Sequence, residues 1–139
     1  MTQQSSCPFC NPAQRVLKEN KNAYVLLSDP RKIPGHFLVI PKRHVEKPWE
    51  IKEEELCSIF NLVTFVQQKI IETLSDGCDV RQNYRPFLKQ GRTKVDHVHY
   101  HVMPRTFEDK LYMKVDKFEA NLFEDLTPEE HERMARILD

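Results

Sequence analysis

The sequence predicts an α+β fold: a small antiparallel sheet, one long central helix covering it, and a further helix at the C-terminal end. Three observations carry this. Two short β-rich runs, Ala23–Leu27 and 36–40, lie early in the chain. Residues 53–74 place apolar side chains at three- and four-residue spacing. Residues 95–104 form another extended segment, in which residue types alternate with period two.

The elements follow in order. Residues 1–14 are polar and hold Cys7-Pro-Phe-Cys10 among turn formers, so they read as a loop. Ala23–Leu27 is an apolar run closed by Ser28-Asp29-Pro30. Gly35 introduces 36–40, which Pro41 stops, leaving His44 just beyond a strand end. Pro48 precedes the long helix and Asp76-Gly77 ends it. Its stripe is Leu56, Ile59, Phe60, Val63, Val66, Ile70 and Leu74. Cys57 within it and Cys78 after it read as small buried or half-buried residues. Thr127-Pro128-Glu129-Glu130 is a capping box with proline at the first helical position, and Met134, Ile137 and Leu138 are its expected buried face. Residues 106–126 carry no readable pattern. The expected organisation is one domain over 1–139, with 1–14 as an N-terminal loop and 106–139 as a C-terminal extension.

The 139 residues balance 21 Lys+Arg against 21 Asp+Glu. A net charge of zero argues against a general or sequence-specific nucleic-acid binder. The longest apolar run, Ala23–Leu27, is far short of a membrane span. Met1 through Ser6 show neither a basic nor an apolar leader region, and the expected location is cytoplasmic. Charge is uneven along the chain. Residues 80–95 hold five bases and no acid, and 107–139 hold ten acids against five bases. The basic stretch leads directly into the most unusual segment, which makes an anionic substrate worth testing.

That segment is Val95-Asp-His97-Val-His99-Tyr-His101-Val-Met-Pro104. Half of the six histidines alternate here, so on a strand His97, His99 and His101 share one face and Val98, Tyr100 and Val102 the other. Three imidazoles on one face would be poor core design, because each ring needs a polar partner. The row suits either a metal-hydrolase site or a nucleophilic imidazole flanked by rings that orient it. Cys7 and Cys10 supply two of the four ligands that a structural zinc takes, so histidines must complete such a site, and His44 is a candidate. A lone C-x-x-C also resembles a glutaredoxin-type redox motif, but only six polar residues precede it, too few for the buried strand that such a motif follows. A non-catalytic zinc-stabilised binding module is a third reading, and it leaves His99 and His101 unexplained.

His97-Val-His99-Tyr-His101-Val-Met103 resembles the His-φ-His-φ-His-φ-φ signature of the histidine-triad (HIT) family of nucleotidyl hydrolases and transferases. Pro34-Gly-His-Phe-Leu-Val-Ile-Pro-Lys-Arg-His44 resembles the family's second signature, and Cys7-Pro-Phe-Cys10 the start of its zinc-containing members. The resemblance implies a homodimer that acts on a purine nucleotide or nucleotide conjugate. It makes His99 the nucleophile at an α-phosphorus and His101 the residue that stabilises the phosphoryl oxygens. A structural zinc would be held by Cys7, Cys10, His44 and His97. The implied products come from double displacement through a nucleotidyl-histidine, on phosphoramidates, adenylylated amines or dinucleoside polyphosphates. Asn83 corresponds to the family's upstream asparagine. Asp29 corresponds to its ribose-contacting acid, with Ser28 the alternative position. Where members carry Gly-Gln-Ser/Thr, this chain has Gly91-Arg92-Thr93-Lys94. Thr93 and Lys94 therefore join the substrate-binding residues, and the Lys94 ammonium suits a leaving group more anionic than an amine. His36, His131, Trp49, Phe60 and Phe65 read as capping, solvated or packing residues.

Overall fold

A computed structural model of the chain describes residues 6–139; Met1 through Ser5, and with them the expectation of a missing leader, lie outside the described residues. The described residues divide into two units, the first ending at Phe107 and the second spanning Glu108–Asp139.

In the first unit, β1 (Lys18–Glu19), β2 (Ala23–Leu27), β3 (Phe37–Pro41), β4 (Gly77–Arg81) and β5 (Tyr100–Arg105) form one sheet in the order β1-β2-β3-β5-β4. Every neighbouring pair is antiparallel. β2 reads as continuously apolar because both of its faces are covered. One face carries Ala23, Val25, Val39 and Val102, on which Ile59, Val63, Val66 and Ile70 of α1 (Glu53–Thr73) pack. The opposite face carries Tyr24, Leu26, Leu38 and Ile40, covered by Cys7, Phe9 and Cys10 of the N-terminal loop. In the turn between β2 and β3, Gly35 sits at φ +82°, and a Cβ there would come within 2.8 Å of Pro104 Cγ. That turn accepts glycine for both reasons.

Several sequence expectations need correction. The buried stripe of α1 runs through Ile59, Leu62, Val63, Val66 and Ile70, while Leu56, Cys57, Phe60 and Leu74 are exposed. The sheet contacts a strip narrower than the apolar arc of the helix, so residues at the arc's margins stay in solvent. Sheet pairing begins only at Tyr100, so of the three histidines expected on one strand only His101 lies on β5, and His97 and His99 precede it.

An unforeseen clamp holds the segment after β3. Arg43 donates from Nε and Nη2 to the two Glu55 carboxylate oxygens at 2.8 and 2.7 Å. Glu55 also accepts the Lys52 backbone N–H at the helix start. The Arg43 guanidinium, against a desolvation cost, holds the buried Glu55 carboxyl below its ordinary value. A buried bidentate pair of this kind is geometrically specific, and it fixes the residue that immediately precedes His44.

In the second unit, α2 (Lys110–Lys114) is capped by Asp109, whose carboxylate accepts the Tyr112 N–H. A 3₁₀ segment, Asp116–Leu122, follows in the stretch that showed no pattern. α3 (Pro128–Ile137) opens with the expected capping box between Thr127 and Glu130. Its expected buried face does not form: Met134, Ile137 and Leu138 are 47, 70 and 88% exposed. Cap chemistry is local and readable, whereas burial needs an opposing layer, and this short unit supplies none of its own.

Candidate active site

The face of the sheet opposite α1 brings the N-terminal loop, the segment after β3 and the segment leading into β5 together. Cys7, Cys10, His44 and His97 converge there, with all four potential ligand atoms within 4.8 Å of one another. Cys7 Sγ lies 3.4 Å from His97 Nδ1, and Cys10 Sγ lies 3.3 Å from His44 Nδ1. The outer nitrogens fix both rings in one tautomer. His97 Nε2–H donates to the Pro41 carbonyl at 2.8 Å, and His44 Nε2–H donates to the Glu46 carboxylate at 2.8 Å. Each Nδ1 lone pair therefore faces the two sulfurs. Residues that orient a ligating histidine from outside normally act in this way, and the four donors can hold a metal ion.

His99 and His101 lie beside this cluster with their own partners. His99 Nδ1–H donates to the His97 carbonyl at 2.7 Å, which leaves Nε2 as the nitrogen with a free lone pair. Phe9 packs edge-on against the His99 ring at 5.1 Å, and the His101 ring lies 5.0 Å away. Burial lowers the His99 pKa, so the ring is neutral near pH 7.

His36, read from the sequence as a capping or packing residue, belongs to this site. The Lys32 backbone N–H donates to His36 Nδ1 at 3.1 Å, and His36 Nε2 lies 2.8 Å from His101 Nδ1. With Nδ1 of His36 accepting, its proton must sit on Nε2 and donate to His101. His101 then carries its own proton on Nε2, the nitrogen left for a ligand. Burial, reinforced by nearby positive groups including Lys32 and Arg81, pushes His36 down to about 4 and His101 to about 3. The two rings are thus neutral across the physiological range, and protonation of either would break the chain only in acid. No local signal marked His36: the contact follows from the register that places Leu38 opposite His101 and from the turn at Gly35.

His36→Phe is expected to lower kcat about tenfold, the value of one lost hydrogen bond of about 1–1.5 kcal/mol, with KM nearly unchanged. His36→Gln, whose amide N–H can occupy the Nε2 position, is expected to restore most of the rate. An equal rise in KM for both variants would make His36 a packing residue only. No ionisation of this pair should appear in a pH–rate profile between pH 5 and 8, because both pKa values lie below that window.

Two cavities meet at His99. The larger, about 400 Å³, is lined by His36, His99 and His101 and also by Phe9, Asp29 and Thr93. Its volume falls in the range of small-ligand sites. The smaller, about 110 Å³, adjoins Asn83, Tyr84, Arg85 and Lys94 on the other side of His99. The predicted substrate-binding residues are therefore split: Asp29 and Thr93 on one side, Asn83 and Lys94 on the other. The Lys94 ammonium is already engaged by the Asp96 carboxylate, so its charge is partly neutralised.

Comparison with known proteins places this arrangement in a wider set. A bis(5'-nucleosyl)-tetraphosphatase [asymmetrical] of Schizosaccharomyces pombe is 35% identical over 95 residues, 65% of this chain, which spans 51% of that relative's length. An uncharacterized HIT-like protein of Methanocaldococcus jannaschii is 32% identical, covering 71% of this chain and 78% of its own. An adenosine 5'-monophosphoramidase of S. pombe is 31% identical over 75% of this chain and 77% of its own. A HIT family protein of Bacillus anthracis superposes with a TM-score of 0.74 at 25% identity, over 96% of this chain and 95% of its own. A Zn-bound histidine triad family protein of Mycobacterium smegmatis has a TM-score of 0.65 at 26% identity, over 76% of this chain and 79% of its own. The HIT domain model matches residues 10–108, the span that builds the sheet, three of the four clustered ligands (Cys10, His44 and His97) and the histidine row, and the chain therefore belongs to the HIT domain family.

Proposed function

We propose that this chain is a nucleotidyl hydrolase or transferase that acts at the α-phosphate of a nucleoside phosphoramidate or dinucleoside polyphosphate. The single observation that carries the reading is the pair of fixed tautomers: a bare Nε2 on His99 beside a protonated Nε2 on His101. The former is a nucleophile and the latter a donor to a phosphoryl oxygen. Relatives named as a tetraphosphatase, a monophosphoramidase and a bis(5'-adenosyl)-triphosphatase act on substrates of this class.

In this reaction the His99 Nε2 lone pair attacks the α-phosphorus and the bond to the leaving group breaks. The leaving group departs through the smaller cavity with its electron pair. His99, still holding its Nδ1 proton, becomes a nucleotidyl-imidazolium, and the His97 carbonyl that accepts that proton stabilises its charge. Water or another acceptor then attacks phosphorus, the N–P bond returns its electrons to Nε2, and one proton leaves with the solvent. Asn83 and Lys94 would contact the leaving side, Asp29 and Thr93 the nucleoside side.

Zinc is the metal that best fits the four-ligand cluster. The S–N edge of a tetrahedral zinc site is about 3.5 Å from ordinary bond lengths, and the two closest sulfur–nitrogen distances are 3.4 and 3.3 Å. With two thiolates and two imidazoles the coordination shell is full, so the ion would supply structural cross-linking only. Thiols held for a metal suit a reducing compartment, which supports a cytoplasmic location. No helix among the described residues is long and apolar enough to cross a membrane. The paired thiols lie in a turn ahead of a 3₁₀ segment and are not at an α-helix N-terminus, which disfavours the redox reading.

A homodimer is part of the proposal. β4 is an edge strand, and Trp49, Leu56, Phe60 and Tyr84 leave aromatic and aliphatic surface exposed. Sedimentation equilibrium that returns a monomer mass would remove it.

The decisive test is a panel of adenosine and guanosine phosphoramidates and dinucleoside polyphosphates, with and without inorganic phosphate or a sugar phosphate as acceptor. Release of a nucleoside monophosphate supports hydrolysis, and formation of a new nucleotidyl ester supports transfer. No turnover of any member would overturn the reading.

A further inference from the structure

Cations are distributed unevenly around the two cavities. The smaller is lined by Lys47, Arg85 and Lys94 but also by Glu46 and Asp96. The larger is lined by Arg15, Arg31, Lys32 and Arg92, with Asp29 its only acid. The excess positive charge therefore lies on the side away from the leaving group. Little of it is neutralised locally. Arg92 reaches Asp29 only at 3.4 Å, and the two side chains are 75% and 79% exposed, a pairing that solvent largely screens. Arg31 and Lys32 form no ion pair among the described residues. Arg15 donates to the Leu27 carbonyl at 3.0 Å, which orients its guanidinium and leaves its charge intact.

A neutral nucleoside would not answer this wall. With the 5'-phosphate at His99 and His101, the remaining cavity would hold ribose and base against Phe9, Leu38 and four cations. Asp29 is the one carboxylate there, and vicinal ribose hydroxyls are donors that such a group accepts. In dinucleotide sites an acid accepts a free ribose hydroxyl, whereas an arginine near the ribose accommodates a ribose phosphate; with one hydroxyl phosphorylated, the other remains for Asp29. The planar fork of an arginine matches phosphate oxygens in pairs.

We infer that the preferred nucleotide carries a second phosphate on its ribose, at the 2' or 3' position, held by Arg92 and Arg31 at the mouth of the larger cavity. This rests on the nucleotidyl reading of the site and deepens it by naming the substrate class.

The test is equilibrium binding of AMP, adenosine 3',5'-bisphosphate and adenosine 2',5'-bisphosphate to the full metal-loaded chain, at about 0.1 M salt where distant charges are screened. One bisphosphate is expected to bind at least about tenfold tighter than AMP, and its identity assigns the position. Arg31→Gln and Arg92→Gln should each reduce that ratio about threefold or more. Lys89→Gln, in the same basic stretch but outside the cavity lining, should leave it intact. Binding of AMP with a ratio near one for both bisphosphates would overturn this inference and leave the nucleotidyl reading standing. A ratio that falls equally in Lys89→Gln would also overturn it, as a general field effect. Binding of none of the three nucleotides would overturn both.

Discussion

His99→Ala is expected to reduce turnover by at least about 10⁴-fold, the scale on which loss of an activated nucleophile is felt. Nucleotide binding should change little, since the ring acts mainly in the transition state and the cavity walls remain. The cause is specific to the geometry. The Nδ1 proton is held by the His97 carbonyl at 2.7 Å, and burial disfavours the charged ring, so the Nε2 lone pair faces the cavity in the neutral form. Acid-free denaturation of the wild-type enzyme during turnover should trap a nucleotidyl group on His99. Near-normal turnover in His99→Ala would exclude the covalent route.

Removal of the metal is expected to have the largest effect on stability. Chelation or Cys7→Ser should release about one zinc per chain and cost several kcal/mol, since closed zinc sites contribute folding free energy directly. At about 3–5 °C per kcal/mol for a domain of this size, the Tm should fall by at least about 15 °C. Cys7, Cys10 and Phe9 form part of the second buried cluster, so losing the cross-link also releases the loop that covers β2 and β3. Activity should fall with the fold, because the same loop carries Phe9 onto the His99 ring. A metal-free protein that keeps its Tm and its turnover would show the site to be something other than a structural centre.

Much of the site was legible in the sequence because its signals are local. Alternation along 95–104 marks three histidines as one group, although only His101 lies on the paired strand, and Cys7 and Cys10 stand out as a close thiol pair. Ala23–Leu27 carries the same bounds in sequence and structure, and the long helix ends within one residue of expectation. The Thr127 capping box is equally local.

What the sequence could not show required a partner distant along the chain. The role of His36 depends on its hydrogen bond to His101, 65 residues away, which exists because β3 pairs with β5. The clamp between Arg43 and Glu55 is a bond across the loop ahead of α1, and it anchors the residue next to His44. Which half of an apolar arc is buried, and whether α3 buries any, follow from the layer that lies opposite. Residue type and spacing by themselves determined the chemistry on offer: a row of imidazoles, a close pair of thiols, an α+β frame. Only the tertiary structure decided which nitrogen of each ring holds its proton and which cations face the larger cavity, because both depend on hydrogen bonds and electrostatics between groups that meet only after the sheet has closed.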